Sequence, residues 1–258
     1  MRLHLFEFED LPWFPNVIRV GGTDYLRYLL IATEVYKPCI NLLNEVLKKI
    51  GGTKIVDLCS GGGGYIEQVH SKLETISSEN ISITLTDKFP NIETYKHLHN
   101  KTNGKINFDN RSVDATNVPA DLKGVRSMFS AIHHFHPVQV KSVLQNAVDN
   151  HAPVAIFDGG DKSIFGILGV IIVQPIMFFL FTPFFKPFKF SRLFFTYVIP
   201  LIPLYTVWDG CVSIIRLYRP EDLLKIANEV SLDRYNWSAG KTTSRFGLHA
   251  TYLIGIPH

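Results

Sequence analysis

The feature that most constrains this fold is a run of four glycines, Gly61–Gly64, that directly follows a short apolar segment. The apolar segment covers 54–58, contains Asp57 and predicts a buried strand. Glycine has no Cβ, so the backbone takes positive φ and approaches a ligand closely, while the first amides of the next helix face the same point. The pattern predicts strand, tight turn and helix start, as in α/β sheets that bind a nucleotide.

Two acidic residues follow later predicted strands. A strand over 81–86 ends at Asp87, at about the spacing from the glycines at which an acid binds a ribose in this topology. Asp114 follows a strand predicted over 106–112. Dinucleotide sites have a third glycine where this chain has Ile66, which disfavours an NAD-dependent oxidoreductase without excluding it.

A fourth motif, Phe-Ser-Ala-Ile-His-His-Phe-His-Pro over 129–137, follows a strand predicted over 125–131. In this order, the four motifs resemble those of class I S-adenosylmethionine-dependent methyltransferases over most of the chain. The resemblance implies S-adenosylmethionine as cofactor and methyl transfer as activity. The residues that it implies for the cofactor are Asp57, Cys59, Gly61, Gly63, Asp87, Lys88, Asp114, Ala115 and Ser130. Cys59 is a departure, because the family most often has its first glycine there.

Methyl transfer requires the acceptor, methyl and sulfur in line and, for a hydroxyl acceptor, the removal of a proton. Histidine is the natural base near neutral pH, and His133 and His134 lie at the carboxyl end of the fourth strand, where ligands gather. We predict that one of them is the base or orients the acceptor, with Asp209 as a further catalytic candidate. The alternative is that these histidines only pack or hydrogen-bond within their loop. Asp158 either lines the same cleft or is an ordinary strand-end acid.

The segment 208–218 concentrates further polar and aromatic side chains. The residues predicted to line a substrate pocket are Tyr25, Trp208, Arg216 and Tyr218. The competing interpretation is an ion pair between Asp209 and Arg216 that holds the preceding segment against the sheet.

Strand patterns alternate with helix patterns after residue 52. The predicted strands are 54–58, 81–86, 106–112, 125–131, 153–158, 233–237 and 248–256. The predicted helices between them are 63–74, 91–101, 137–149 and 220–230. We therefore expect an α/β fold, a Rossmann-like seven-stranded methyltransferase sheet with helices on both faces. Residues 1–52 are predicted to form an N-terminal helical cap or lid, and 53–258 the methyltransferase domain.

A hydrophobic helical insertion is predicted over 162–208. Residues 164–185 are almost wholly apolar and long enough to span a bilayer, with Pro175 and Pro183 as expected breaks. A second apolar stretch over 193–208 is shorter and contains two more prolines. Between them lie the basic residues Lys186, Lys189 and Arg192, which suit anionic headgroups.

Three interpretations of the insertion remain open. The first is an interfacial or re-entrant membrane contact through 164–207. The second is a buried segment that covers the active site or forms a homodimer contact, and the third is a two-pass span. The first two favour a small, lipophilic or aromatic acceptor. A protein that binds S-adenosylmethionine or a lipid without turnover is the alternative to an enzyme.

The composition limits the remaining classes of function. A net charge of +3, without a basic cluster interleaved with aromatics, gives no indication of a nucleic-acid partner. Three cysteines far apart in sequence indicate neither disulfides nor a zinc site, and no metal is predicted. The N-terminus has acidic residues where an export signal needs an apolar run. We therefore expect a cytoplasmic protein associated with a membrane.

Overall fold

The computed structural model describes residues 3–185 and 188–258, and its centre is a seven-stranded sheet. The strands are β1 (Lys54–Leu58), β2 (Ser82–Asp87), β3 (Ile106–Ser112), β4 (Val125–Phe129), β5 (Val154–Gly159), β6 (Tyr235–Thr243) and β7 (His249–Pro257). Their order is β3-β2-β1-β4-β5-β7-β6, with the first five parallel and β7 antiparallel to both of its neighbours. The chain moves outward from β1 in one direction and then from β4 in the other, so a crevice opens at their carboxyl ends.

Helices connect the strands and cover the sheet. They are α1 (Asn16–Thr33), α2 (Lys37–Ile50), α3 (Ile66–Ile76), α4 (Ile92–Lys101), α5 (Pro137–Asp149), α6 (Ile164–Phe181), α7 (Phe190–Leu193), α8 (Leu201–Arg216) and α9 (Pro220–Val230). Short 3₁₀ turns lie at Phe8–Asp10, Ile132–His134 and Thr182–Phe184, and a π-helical turn at Phe194–Val198. The predicted helix over 63–74 starts later, at Ile66, because Gly63 and Gly64 take positive φ in the turn.

The strands of the sheet are buried on both faces, as a parallel sheet requires. In β1, Ile55 belongs to the core formed with α2, α3 and α4, whereas Val56 belongs to the core formed with α5 and α9. Both side chains are 2% exposed or less. Burial of a side chain of this size stabilises the fold by about 1.5–3 kcal/mol. The predicted α/β class, with helices on both faces, is confirmed.

The two N-terminal helices have different partners. Helix α2 contacts α3 and β7 and contributes Leu43 and Leu47 to the core of the sheet, whereas α1 packs against α8. The two helices are separated at Glu34, which takes a left-handed conformation with φ 49°. The contacts therefore join α2 to the sheet and most of α1 to the insertion, while Leu30 of α1 reaches the core of the sheet. The predicted cap or lid over 1–52 stays a prediction.

The insertion is more helical than the sequence predicted. Pro175 was expected to break the first segment, yet α6 continues through it and ends only before Pro183. Pro200 and Pro203 fall at the N-cap and first turn of α8, where proline is tolerated, so the second segment is also helical.

One helix of the described residues, Ile164–Phe184, is long and apolar enough to cross a membrane, with a mean hydropathy of 2.5 and 6% of its apolar window buried. The segments Phe190–Val198 and Leu201–Arg216 form a second apolar pair, bent by 81°. These are properties of length and composition alone.

A small core attaches the insertion to α1. Phe178, Phe185 and Ile202 of the insertion pack with Phe14 and Tyr25.

An ion pair reinforces this attachment. Arg192 Nη1 lies 2.6 Å from Asp24 Oδ2, and Lys189 Nζ lies 2.9 Å from the same oxygen. Arg192 is 1% exposed, so the expectation that it faces lipid headgroups is wrong. Its charge instead compensates a buried carboxylate on α1. Lys186 lies outside the described residues.

Candidate functional site

The glycine turn after β1 has the backbone that its sequence predicted. Gly61 and Gly63 take φ of 52° and 77°, and Cys59 takes φ of 56° although it carries a Cβ. The position where the family has glycine therefore keeps a conformation that glycine favours. Burial raises the pKa of the Cys59 thiol, so this side chain is an uncharged packing group in the turn.

Asp57 lies beneath this turn at the end of β1 and is 2% exposed. It accepts hydrogen bonds from the hydroxyls of Ser60 and Ser127, each at 2.7 Å. Burial raises the pKa of Asp57 to about 7, and the two hydroxyls only partly offset that effect. The carboxyl group braces the turn against β4, while its predicted contact with a cofactor stays a prediction.

The acid at the end of β2 faces the glycine turn. Asp87 Oδ2 accepts the Gly61 amide at 2.8 Å, and Oδ1 accepts the Phe89 amide at 2.8 Å. A Cβ on Gly61 would meet no atom within 4 Å, so the space above this residue is open. Asp87 thus lies at the rim of an open turn, where the sequence predicted an acid for a ribose.

The end of β3 adds a second acid to the same rim. Asp114 Oδ2 lies 2.8 Å from Lys88 Nζ, and Oδ1 accepts the amide of Thr116. The hydrogen bond from Lys88 holds the pKa of Asp114 at about 2, so the carboxylate is ionised at neutral pH. Ala115 beside it is buried. Lys88 and Asp114, which the sequence named as two separate cofactor residues, form an ion pair with each other.

Tyr36 is a buried part of the site that the sequence did not reveal. Its hydroxyl contacts the Ser130 hydroxyl closely and accepts the Gly159 amide at 2.7 Å. Ser130 takes φ of 52° directly after β4. Tyr36 therefore ties the start of α2 to the ends of β4 and β5. In the sequence, Tyr36 is marked only by its position two residues before Pro38.

The histidine motif forms the 3₁₀ turn that follows β4. His133 is 6% exposed, and its Nδ1 lies 2.8 Å and 3.0 Å from the two carboxylate oxygens of Asp158. Asp158 is 2% exposed at the end of β5. The structure therefore brings two predicted candidates into a buried pair, in which the carboxylate fixes the orientation of the imidazole.

His134 points to the N-terminal segment, which we define as Leu3–Asp10. Its Nδ1 lies 2.9 Å from Asp10 Oδ1 and 3.1 Å from Glu7 Oε2, and its Nε2 lies 3.5 Å from Glu9 Oε1. Burial opposes protonation of this ring, but the hydrogen bond with Asp10 and the charges of Glu7 and Glu9 outweigh it. Together they raise the pKa of His134 to about 10.

Arg216 and Asp209 hold the N-terminal segment in this position. Arg216 Nε donates to the Leu5 carbonyl at 2.7 Å, and Nη1 lies 2.7 Å from Asp10 Oδ2. Asp209 accepts the amides of Phe8 at 2.8 Å and Glu9 at 3.1 Å.

These contacts bear on two expectations from the sequence. Both oxygens of Asp209 accept hydrogen bonds from backbone amides, so it anchors the N-terminal segment, while its predicted catalytic role stays a prediction. Arg216 binds the same segment through contacts of its own.

The predicted pocket residues do not form one surface. Tyr25 is 3% exposed and stacks on Phe178 at 3.9 Å between ring centroids, which makes it a core residue of the insertion. The Tyr218 hydroxyl donates to the Phe135 carbonyl at 2.8 Å and supports the histidine turn. Trp208 is 39% exposed, and its Nε1 donates to the Phe6 carbonyl at 3.0 Å. Arg216 also lies against the histidine motif, at His134.

Sequence reasoning also missed Glu7, which is fully buried between Arg216 and His134. The only signal was the clustering of Glu7, Glu9 and Asp10 beside the apolar residues Leu3, Leu5 and Phe6. Nothing in that pattern shows that the stretch folds over a turn formed by residues 132–134.

The sheet order with its antiparallel β7, and the glycine turn faced by two strand-end acids, define the fold as that of class I S-adenosylmethionine-dependent methyltransferases. No known family profile matches the sequence, and no curated protein matches it.

Solved structures share this fold at low sequence identity. Human N-acetylserotonin methyltransferase, in complex with S-adenosylmethionine, is 12% identical with a TM-score of 0.50, over 96% of this chain and 59% of that one. An O-methyltransferase family protein from Burkholderia thailandensis is 13% identical with a TM-score of 0.49, over 91% and 59%. An O-methyltransferase family 2 protein from Planctomyces limnophilus, in complex with apigenin, is 11% identical with a TM-score of 0.44, over 79% and 51%. The chain thus spans little more than half the length of these proteins.

Proposed function

We propose that the protein is an S-adenosylmethionine-dependent methyltransferase that acts on a small, lipophilic or aromatic acceptor at a membrane surface. The observation that carries the proposal is the meeting of the open glycine turn, Asp87 and Asp114 at one rim, on the same carboxyl edge of the sheet as the buried His133–Asp158 pair. The human neighbour, which is a methyltransferase in complex with the same cofactor, supports this choice of cofactor.

The residues at the rim fit the cofactor. The open space above Gly61 admits a ligand to the backbone, and Asp87 offers carboxylate oxygens beside it for ribose hydroxyls. Asp114 and the buried Ala115 would face the adenine. When bound, the cofactor supplies a methyl group on a positively charged sulfur, which is already electrophilic. The protein therefore has to bind, align and exclude water more than it has to activate the donor.

The acceptor would be activated at the histidine motif. His133 and His134 follow the carboxyl end of β4, and Asp158 fixes the His133 ring. An oxygen acceptor must lose its proton as the methyl group arrives, and a group at this turn would assist that loss.

The surface of α6 supports the membrane part of the proposal. One side of α6 packs on α8, where a Cβ on Gly210 would come 3.0 Å from Val170 and a Cβ on Gly166 3.3 Å from Ile214. The remaining apolar side chains of this helix and its last turn are exposed, and we call them the apolar face: Ile164, Phe165, Leu168, Ile171, Ile172, Val173, Ile176, Phe179, Leu180 and Phe184.

Lipid is a better occupant of the apolar face than a second copy of the chain. Ile171, Ile172 and Val173 are consecutive and all at least 49% exposed, so they point in directions about 100° apart around the helix. A flat protein interface would cover one stripe of such a helix, whereas lipid covers every direction. Soluble monomers rarely expose a continuous apolar patch of this extent.

The activity is tested by incubating the protein with methyl-labelled cofactor and a panel of lipophilic phenols and hydroxylated lipids, in detergent and in vesicles. We expect label transfer to at least one acceptor class. His133→Ala and His134→Ala should abolish turnover while the affinity for S-adenosylmethionine changes less than about threefold. Unchanged turnover in both single variants and in the double variant would contradict the role of the motif. Cofactor binding without turnover of any acceptor would favour the non-catalytic binder.

The membrane contact is tested by flotation with phosphatidylcholine vesicles. We expect the protein to float with the vesicles, and Ile172→Glu with Ile176→Glu to reduce the bound fraction at least tenfold, because a buried charge opposes insertion. Val138→Glu is the matched control, since Val138 is 77% exposed on α5 and lies outside the apolar face. The membrane contact is contradicted if the protein is a dimer in solution and the two glutamate substitutions dissociate that dimer. The apolar face would then bind a second copy of the chain.

A further inference from the structure

A second kind of site lies at the histidine motif. Glu7, His133 and His134 each offer one ligand atom, and these three atoms lie within 4.8 Å of one another. The geometry points to a binding site for a divalent first-row transition metal ion, with Zn²⁺ as the representative ion, held by these three side chains.

Glu7 gives the first argument, because its carboxylate is fully buried and only half satisfied. Oε1 accepts the Ser213 hydroxyl at 3.1 Å and lies 3.2 Å from Arg216 Nη1. Among residues 3–185 and 188–258, none makes a hydrogen bond to Oε2, which lies 3.1 Å from His134 Nδ1. A buried carboxylate oxygen without a hydrogen bond is costly. The protonated His134 ring beside it lowers that cost, and a metal ion bonded to Oε2 would lower it directly, in place of the His134 proton.

His133 gives the second argument. Asp158 holds Nδ1 of this ring at 2.8 Å, which assigns coordination of an ion to Nε2. Metal-binding histidines almost always have such a carboxylate or carbonyl on the other ring nitrogen, which fixes the tautomer and the ring orientation. The His134 ring lies alongside, with 4.3 Å between the ring centroids.

The balance of charge gives the third argument. The carboxylates of Glu7, Glu9, Asp10 and Asp158 and the guanidinium of Arg216 lie against the two imidazoles. Even with the His134 ring protonated, the four carboxylates outnumber the two cationic groups of this largely buried cluster, and a divalent cation that displaces the His134 proton would compensate the excess.

The donor set indicates the class of ion. Two imidazole nitrogens and one carboxylate oxygen are the ligands of catalytic zinc sites, which leave a fourth position open. Zinc bonds of about 2.0–2.1 Å place such ligand atoms roughly 3.3 Å apart, so atoms that now lie within 4.8 Å of one another must close by up to about 1.5 Å. The open position would take an acceptor oxygen and favour its deprotonated form. That role rests on the proposed function, whereas binding of the ion does not.

The test is zinc binding to the full chain after treatment with a chelator, measured by competition with a chromophoric chelator and by metal analysis. We expect one Zn²⁺ per chain, and an affinity at least tenfold weaker in Glu7→Gln and in His133→Ala. Glu7→Asp is a second variant, for the case that Glu7→Gln fails to fold. It keeps the charge, but its side chain is one methylene shorter, so the carboxylate no longer reaches the ion and zinc binding should weaken. Binding of Co²⁺ should give visible bands of a four- or five-coordinate ion that are lost in the same variants.

His136→Asn is the matched control, because His136 stacks on His4 at 3.6 Å instead of joining the cluster. Its zinc affinity should stay within about twofold of the unaltered protein. The proposal is overturned if the protein binds no zinc, or if His136→Asn weakens binding as much as His133→Ala, which would indicate surface histidines only. Either result would leave cofactor binding and methyl transfer unaffected, so the two proposals fail separately.

Discussion

Asp57 shows how a single buried carboxyl group shapes the nucleotide turn. Asp57 accepts hydrogen bonds from the hydroxyls of Ser60 in the turn and Ser127 in β4, so it joins the first and fourth strands. Because burial raises the pKa of Asp57 to about 7, its ionisation opposes folding. The stability associated with protonated Asp57 is full below the unfolded pKa of about 4 and is lost as pH rises towards 7.

Asp57→Asn should remove this pH dependence. The variant keeps the shape and lets the serine hydroxyls rotate to its amide, so we expect it to gain about 2–4 kcal/mol over the unaltered protein between pH 4 and pH 8. Urea unfolding at both pH values measures the change. A difference between the two proteins that does not vary with pH would show that Asp57 is not protonated in the fold.

Gly63 and Gly62 are neighbours in sequence, but the space around a Cβ differs sharply between them. A Cβ on Gly63 would lie 2.5 Å from Leu98 Cδ1, and the residue has φ of 77°. A Cβ on Gly62 would lie no closer than 3.8 Å to Thr23 Oγ1. Gly63→Ala should therefore destabilise the protein by about 1–2 kcal/mol and weaken cofactor binding, while Gly62→Ala changes stability by less than about 0.5 kcal/mol. Thermal unfolding and cofactor titration measure both effects, and similar losses in the two variants would contradict the turn geometry.

At the scale of elements, an ion pair and a small aromatic core attach the insertion to α1. Arg192 and Asp24 join α7 to α1, and the small aromatic core lies beside them. The sequence predicted the apolar insertion but not this attachment. Arg192 was expected to bind lipid headgroups, and its partner Asp24 lies on α1, distant in sequence. The prolines of the insertion were also expected to interrupt its helices. Pro200 and Pro203 do not do so, because they lie at the start of α8, and a sequence does not show where a helix begins.

Arg192→Met should cost about 3 kcal/mol, because it leaves a largely buried carboxylate short of its main partner. Lys189→Met is the matched control: its side chain is 32% exposed and pairs with the same oxygen, so we expect a loss below about 1 kcal/mol. Urea unfolding gives the free energies of unfolding of both variants. Limited proteolysis within 188–208 reports release of the insertion. Equal losses in the two variants would contradict the assignment of Arg192 as the anchor.

At the scale of the whole molecule, the sheet and the rim of the site followed from the sequence, whereas the neighbourhood of the histidines did not. Strand patterns and strand-end acids are local signals, and parallel strands bring their carboxyl ends together without further information. Glu7, Tyr36 and the anchoring role of Asp209 depend on how the N-terminal segment and α2 fold back over β4 and β5. No local pattern encodes such contacts between residues distant in sequence.

The central claim is that the rim formed by the glycine turn, Asp87 and Asp114 binds S-adenosylmethionine. Isothermal titration with S-adenosylmethionine, S-adenosylhomocysteine and NAD tests it most directly, with Asp87→Ala beside the unaltered protein. The account predicts micromolar binding of the first two ligands, at least tenfold weaker in the variant, and no binding of NAD. A folded protein that binds neither of the first two, or binds NAD instead, would contradict the claim.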